Sequence, residues 1–300
     1  MRGLARAFPE HHRVLAAPAA LAPLALLDGA IHHVVPTGEL RPLDPSLHHA
    51  PVAANLHGRG PQSHRLLLEA RPRRLIAFGH RQIPESRAFP AWRAGEHEVE
   101  RWCRMLGGHG IATDPSDLYL PLPDRPVPQW ALGATVVHPG GSAPARRWPK
   151  ERWAEVARAE RSSGREVIIT GTTEEMGLAS EVARMAGLDE RAVLAGQTDL
   201  LQLAALLAAA GRAACGDTGV AHLATALRTP SVVLFGPESP VEWGPPPGGG
   251  RHRVLWKGPE GLLSIQVEEV LEAIELLPGP PGRRGEDPPF QSADGRVARR

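Results

Sequence analysis

The chain has 300 residues, and its 34 lysine and arginine side chains against 33 aspartate and glutamate leave a formal net charge of +1. This balance argues against binding to nucleic acid, which requires a basic surface. Two cysteines in a chain of this length do not form a disulfide framework and favour a reducing cytoplasm. No apolar run reaches the roughly 20 residues of a membrane span, and the first residues do not resemble a secretory signal.

Short apolar strands and helices alternate through the first 130 residues. Strands are predicted at residues 13–17, 30–35, 52–56 and 74–78, and helices at 63–69 and 98–106. Adjacent histidines occur at 11–12, 32–33 and 48–49. We do not expect them to bind a metal, because neighbouring residues on a strand face opposite ways and no cysteine or acidic residue stands at ligand spacing.

Residues 134–244 predict an α/β domain that binds an anionic ligand. Strands are predicted at 135–138, 167–170, 193–194, 213–215 and 231–235. A helix opens at Trp148 and Pro149 and stops at Ser163 and Gly164. Others run through residue 185 (capped by Thr173), over 200–210 (capped by Thr198 or Asp199) and over 219–227. Continuously apolar strands that alternate with helices indicate a parallel, doubly wound sheet, whose ligands bind at the carboxyl ends of the strands.

Two of the strand-to-helix loops carry residues suited to phosphate groups. Residues 138–147 combine glycines and Ser142 with Arg146 and Arg147, a set able to clamp a diphosphate. Residues 216–219 (GDTG) end a strand and open a helix, whose unpaired backbone N–H groups favour an anion. His222 follows one turn later.

A third loop, residues 171–175, places Glu174 and Glu175 at a strand end, where a carboxylate could accept hydrogen bonds from ribose. Each residue also has a structural interpretation. Asp217 could be a helix cap, His222 a core histidine, the arginine pair a solvated surface, and the two glutamates partners of a helix dipole. Because the carboxyl ends of parallel strands meet at one edge, their combination favours a shared site.

Three linked motifs carry a resemblance to a known family. They are residues 138–142 (HPGGS) with 146–149 (RRWP) and Trp153, residues 215–223 (CGDTGVAHL), and residues 229–237 (TPSVVLFGP) with Pro240 and 243–245. In order and spacing they resemble glycosyltransferase family 9, the heptosyltransferases of lipopolysaccharide core assembly and their relatives. Weaker similarity runs from about Gly3 to Leu277.

The resemblance implies a GT-B fold of two Rossmann-like domains, with residues 1–130 on the acceptor side, 131–277 holding the nucleotide sugar and 278–300 a disordered tail. It implies inverting transfer without a metal or other cofactor, from an ADP-heptose-like donor to a saccharide or lipid-linked acceptor, with membrane contact only through that acceptor. The donor-binding residues carried over by position are Ser142, Arg146, Glu175 (or Glu174), Asp217, Thr218, Gly219 and His222. Arg146 stands where lysine is expected.

The resemblance also predicts an N-terminal segment that this sequence does not contain. Family members open with an apolar strand, a Gly-Asp loop and a helix, and the loop carries the acidic residue usually assigned as catalytic base. Residues 1–9 look like the end of that helix, so no catalytic residue is assigned, and the sheet of this domain is expected to have a central slot or an unpaired edge. A start codon placed too far downstream is favoured over a true truncation. The alternatives are a nucleotide-sugar-binding remnant and a GT-B sugar-nucleotide epimerase.

Overall fold

The computed structural model describes residues 1–246 and 250–279. It forms two compact units, residues 1–117 and residues 118 onward. The division precedes residue 130 because segment 118–130 bonds to the second unit: Leu120 N donates to Ala226 O, and Gln202 Nε2 donates to Pro126 O, both over 2.9 Å. The predicted tail lies, from residue 280 on, outside the described residues.

The first unit consists of short elements that follow the predicted order. They are α1 (Arg2–Ala7), β1 (Val14–Ala17), α2 (Ala22–Ala25), β2 (His33–Pro36), β3 (Val52–Ala54), α3 (Gln62–Glu69), β4 (Arg74–Ile76) and α4 (Glu98–Gly108). The predicted start of the second strand at Ala30 is wrong. The backbone of Ala30 bonds instead to side chains, donating to Asp28 Oδ1 at 2.9 Å and accepting from Arg13 Nε at 2.7 Å.

The four strands of this unit pair two by two instead of forming one sheet. Within residues 1–117, all of which are described, β1 pairs in parallel with β2, and β3 pairs in parallel with β4. The expected interruption of the sheet is therefore present, and β1 and β3 each have one partner strand. Apolar residues of these two strands, such as Val14 and Val52, are only half-buried. The core of the unit is centred on Phe78 and Met105, and Val52 packs against its edge.

The second unit contains one continuous sheet. Its elements are β5 (Thr135–His138), α5 (Lys150–Ser162), β6 (Val167–Ile169), α6 (Met176–Ala186), α7 (Leu200–Ala209), β7 (Arg212–Gly216), α8 (Gly219–Ala226), β8 (Ser231–Leu234), α9 (Pro240–Trp243), β9 (His252–Leu255) and α10 (Val267–Glu275). Five parallel strands lie in the order β6-β5-β7-β8-β9. α5 packs against α6 and α10, and α7 packs against α8. β5, β6, β7 and β8 are therefore buried, as their apolar sequences predict, whereas β9, which was not predicted, is partly exposed.

The order of the strands defines where a ligand can bind. The predicted strand at 193–194 is wrong, because only a single bridge from Val193 to Ile169 is formed. This bridge nevertheless places the chain where a sixth strand would lie, beside β6. Counted from β5, the order is then that of a dinucleotide-binding sheet, and its winding reverses between β5 and β7. The loops that follow these two strands leave the same edge in opposite directions, which opens a crevice at their carboxyl ends.

Local signals place most helix ends correctly. Asp199 caps α7 as predicted, with Oδ1 accepting from Gln202 N at 2.7 Å. The predicted cap of α6 at Thr173 is wrong, because Glu175 N donates to Thr172 O over 3.1 Å and this turn delays the helix until Met176. No helix within residues 1–246 and 250–279 has the length and apolar character to cross a bilayer.

We predict that backbone amides of β1 and β3 exchange with solvent faster than those of β5 and β7. A strand with one partner and half-buried residues opens more readily than a fully buried strand with partners on both sides. Hydrogen–deuterium exchange with mass spectrometry, corrected for intrinsic rates, measures the difference. Equal protection of the two pairs of strands would contradict the prediction.

Candidate functional site

The switch point between β5 and β7 brings two of the predicted loops together. Arg146 ends a single 3-10 turn, Pro144–Arg146, in the β5–α5 loop (residues 139–149). The guanidinium Nη1 lies 3.5 Å from Oδ2 of Asp217, which belongs to the β7–α8 turn (residues 216–219). The loop crosses close above the end of β7, because a Cβ on Gly216 would stand 3.3 Å from the carbonyl oxygen of Arg146. A side chain at this position would push the loop away by a few tenths of an ångström, so glycine favours the close approach.

Asp217 occupies the end of β7 with its side chain buried. Burial raises the pKa of its carboxyl group, and the charges of Arg146 and His222 oppose that rise. Asp217 is not the helix cap considered as the alternative, since α8 begins at Gly219 with Thr218 in the N-cap position. His222 lies exposed on α8, so its interpretation as a core histidine is wrong.

The start of α8 is open to an anionic ligand. Its N-cap residue, Thr218, makes no side-chain capping bond, and its first turn carries no acidic residue. The Thr218 hydroxyl is shielded from solvent and has no hydrogen-bond partner among the described residues. A phosphate group at this position meets backbone N–H groups at the positive end of the helix dipole. Thr218 and Gly219 therefore lie where a phosphate group can be held.

The two arginines of the β5–α5 loop have different positions. Nε of Arg147 donates to the carbonyl oxygen of Gly141 over 2.8 Å, and this bond holds the loop against itself. Arg146 extends toward the end of β7 and also donates through Nη2 to Oε1 of Glu238 over 2.9 Å. Ser142 is exposed in the same loop. The structure therefore brings Arg146, and not Arg147, to Asp217.

Glu175 connects the β5–α5 loop to the loop after β6. Its buried carboxylate accepts from Gly141 N at 2.8 Å through Oε1 and from Thr172 N at 2.9 Å through Oε2. Gly140 is required beside it, since a Cβ there would come within 2.2 Å of Oε1. A carboxylate has about four acceptor positions. Two of them already hold loops together, and ribose binding by the others stays a prediction.

Three residues of this region, His138, Thr170 and Glu238, were not predicted from the sequence. His138 Nδ1 lies 3.1 Å from Thr170 Oγ1, and His138 Nε2 lies 3.9 Å from Oε2 of Glu175. Burial lowers the pKa of His138, which disfavours the imidazolium form and thus an ion pair with Glu175. A polar residue that ends an otherwise apolar strand is the signal for His138. The third residue is Glu238, an acidic side chain shortly after β8.

These contacts define a class of site, an anion-binding crevice at the carboxyl edge of a parallel sheet, built around one arginine and one helix start. Among the described residues, no group of three histidine, cysteine or acidic side chains is placed to hold a metal ion. The model of glycosyltransferase family 9 (heptosyltransferase) matches residues 85–262. The chain belongs to this family.

Curated relatives match part of the chain. Lipopolysaccharide heptosyltransferase 2 of Escherichia coli (strain K12) is 35% identical over 152 residues, which cover 45% of this chain and 43% of that protein. Lipooligosaccharide heptosyltransferase 2 of Haemophilus ducreyi is 34% identical over 208 residues, or 66% of this chain and 54% of that protein. The matched segments therefore span about half the length of these relatives.

Solved structures match more of the chain. The E. coli ADP-heptose lps heptosyltransferase II superposes with a TM-score of 0.69 at 25% identity and covers 91% of both chains. E. coli heptosyltransferase WaaC with ADP gives 0.70 at 18% identity, covering 91% of this chain and 92% of that chain. The predicted fold class, α/β of the GT-B type with parallel sheets, is confirmed.

We predict that Glu175→Ala lowers the free energy of unfolding of the second unit by about 2 kcal/mol, because it leaves the N–H groups of Gly141 and Thr172 without their acceptor. Urea unfolding followed by tryptophan fluorescence measures the change. Glu174→Ala is the matched control. It removes the same side chain from an exposed neighbouring position and should stay within about 0.5 kcal/mol of the parent. Equal effects of the two substitutions would contradict the assignment.

Proposed function

We propose that the protein is an inverting, metal-independent glycosyltransferase that moves a heptose-like sugar from ADP to a saccharide or lipid-linked acceptor. The observation that carries this proposal is the convergence of Arg146 with the β7–α8 turn at the switch point of the sheet. Family membership supports the reaction class, and the E. coli relative named for ADP-heptose supports the donor. The free thiols of Cys103 and Cys215 are in keeping with a cytoplasmic location.

In this proposal the donor lies across the carboxyl ends of the strands. Glu175, beside β6, accepts hydrogen bonds from the ribose. Ser142, Arg146 and the start of α8 hold the diphosphate, and Asp217 and His222 face the sugar. The diphosphate gains negative charge as it leaves, so a guanidinium and unpaired N–H groups held in advance stabilise the transition state more than the ground state.

The proposed chemistry is a single displacement. The acceptor hydroxyl attacks the anomeric carbon from the face opposite the diphosphate, a new glycosidic bond forms, and the bond from the anomeric carbon to the diphosphate oxygen breaks. A general base takes the proton of the acceptor hydroxyl. The residues assigned here act on the donor and the leaving group, and none of them is assigned as that base.

Calorimetric titration of the whole chain with ADP, UDP and GDP tests donor binding, and we expect ADP to bind most tightly. Release of ADP from ADP-heptose in the presence of lipopolysaccharide core acceptors then tests transfer. Binding of ADP without release would favour the nucleotide-sugar-binding alternative. If none of the three nucleotides binds, the proposed function is wrong.

We predict that Asp217→Ala weakens binding of ADP-heptose about tenfold, since it removes a charged hydrogen-bond acceptor from the sugar end of the site. The affinity for ADP, which lacks the sugar, should change less. Calorimetry measures both affinities, and thermal unfolding checks that the variant folds. Asp189→Ala, which removes an exposed aspartate of the same unit, is the control and should bind as the parent does. An unchanged affinity for ADP-heptose would remove Asp217 from the donor site.

A further inference from the structure

Arg146 lies between two carboxylates that reach it from different loops. Its Nη2 donates to Oε1 of Glu238 over 2.9 Å, across 92 residues of sequence, and its Nη1 lies 3.5 Å from Oδ2 of Asp217. One cation thus faces two anionic groups. A phosphate oxygen bonds to a guanidinium through the same N–H groups as a carboxylate does. A diphosphate that approaches Nη2 of Arg146 therefore competes with Glu238 for that nitrogen.

The two carboxylates differ in their freedom to move. Asp217 has 9% of its side chain exposed, and its backbone N–H is fixed by a 3.0 Å bond to the carbonyl oxygen of Leu234. Glu238 has 43% of its side chain exposed and stands on the loop between β8 and α9. The Glu238 side chain can therefore rotate into water and expose little buried surface, whereas the buried Asp217 side chain cannot rotate away. Glu238 is the group that gives way.

We propose that Glu238 is a positioning residue that holds Arg146 and competes with the donor diphosphate for its guanidinium. The inference rests on the proposed function, in which Arg146 binds the donor phosphates. When a diphosphate binds, the Arg146–Glu238 bond breaks and the Arg146–Asp217 contact persists. Glu238 thereby lowers the affinity of the site for phosphates and keeps weakly held anions from occupying it.

Removing the charge of Glu238 tests the competition. Glu238→Gln keeps the shape of the side chain but leaves a neutral amide, so ADP and inorganic pyrophosphate should each bind about threefold more tightly than to the parent, the size expected for a partly exposed ion pair. Calorimetry on the whole chain measures both ligands. Glu190→Gln, which removes an exposed charge from the segment between α6 and Val193, is the matched control and should change neither affinity.

A double-mutant cycle separates competition at Arg146 from a general change of charge. In an Arg146→Gln background, Glu238→Gln should give no gain for either ligand. The inference is overturned if Glu238→Gln fails to tighten binding, if Glu190→Gln tightens it equally, or if the gain persists without Arg146. Thermal unfolding of Glu238→Gln should match that of the parent, because a partly exposed pair adds little stability.

The two ligands distinguish this inference from the proposed function. If ADP binds the parent and Glu238→Gln brings no gain, the donor assignment stands and the competition is wrong. If pyrophosphate alone binds and shows the expected cycle, the competition stands and the proposed function is wrong. If neither ligand binds to the parent or to Glu238→Gln, both are wrong.

Discussion

The pair of hydrogen bonds that Glu175 accepts is the interaction on which the candidate site depends. Its carboxylate joins the loops after β5 and β6, and it does so from a buried position where an unpaired N–H would be costly. Gly141 is fixed at one end of the β5–α5 loop, and Trp148 Nε1 donates to Ile265 O at the other, so the loop between them can adopt few conformations. It passes over the ends of β7 and β8, and Arg146 is thereby presented to Asp217.

This geometry explains why the site is polar without being strongly charged. Arg146, His222 and the start of α8 attract anions, whereas Asp217 and Glu238 oppose them. Partial burial strengthens each of these interactions relative to open water. A ligand that brings both phosphates and hydroxyl groups satisfies the cation and leaves the carboxylates useful as acceptors. A bare anion satisfies only the cation, so the balance favours a diphosphate attached to sugars.

The sequence predicted the scaffold of this site better than its contacts. Apolar strands, Asp199 as a cap and the polar strand ends all follow from local chemistry, and the alternation of strands and helices is enough to bring the loops to one edge. The bond from Glu175 to Gly141 spans 34 residues and the bond from Arg146 to Glu238 spans 92. No spacing rule encodes such pairs. The start of α6 was misplaced for a different reason, because a local turn from Thr172 to Glu175 precedes the helix.

Comparison of the two units shows that a local apolar pattern is not enough to form a stable strand. Val14 in β1 and Val136 in β5 belong to equally short apolar runs, yet Val136 is fully buried and Val14 is not. The difference lies in the neighbours, since β5 has partner strands on both sides and β1 has one. A binding site needs its side chains held by rigid elements. The second unit meets that condition with strands of its own, so the geometry around Arg146 requires nothing from the pairing of strands in the first unit.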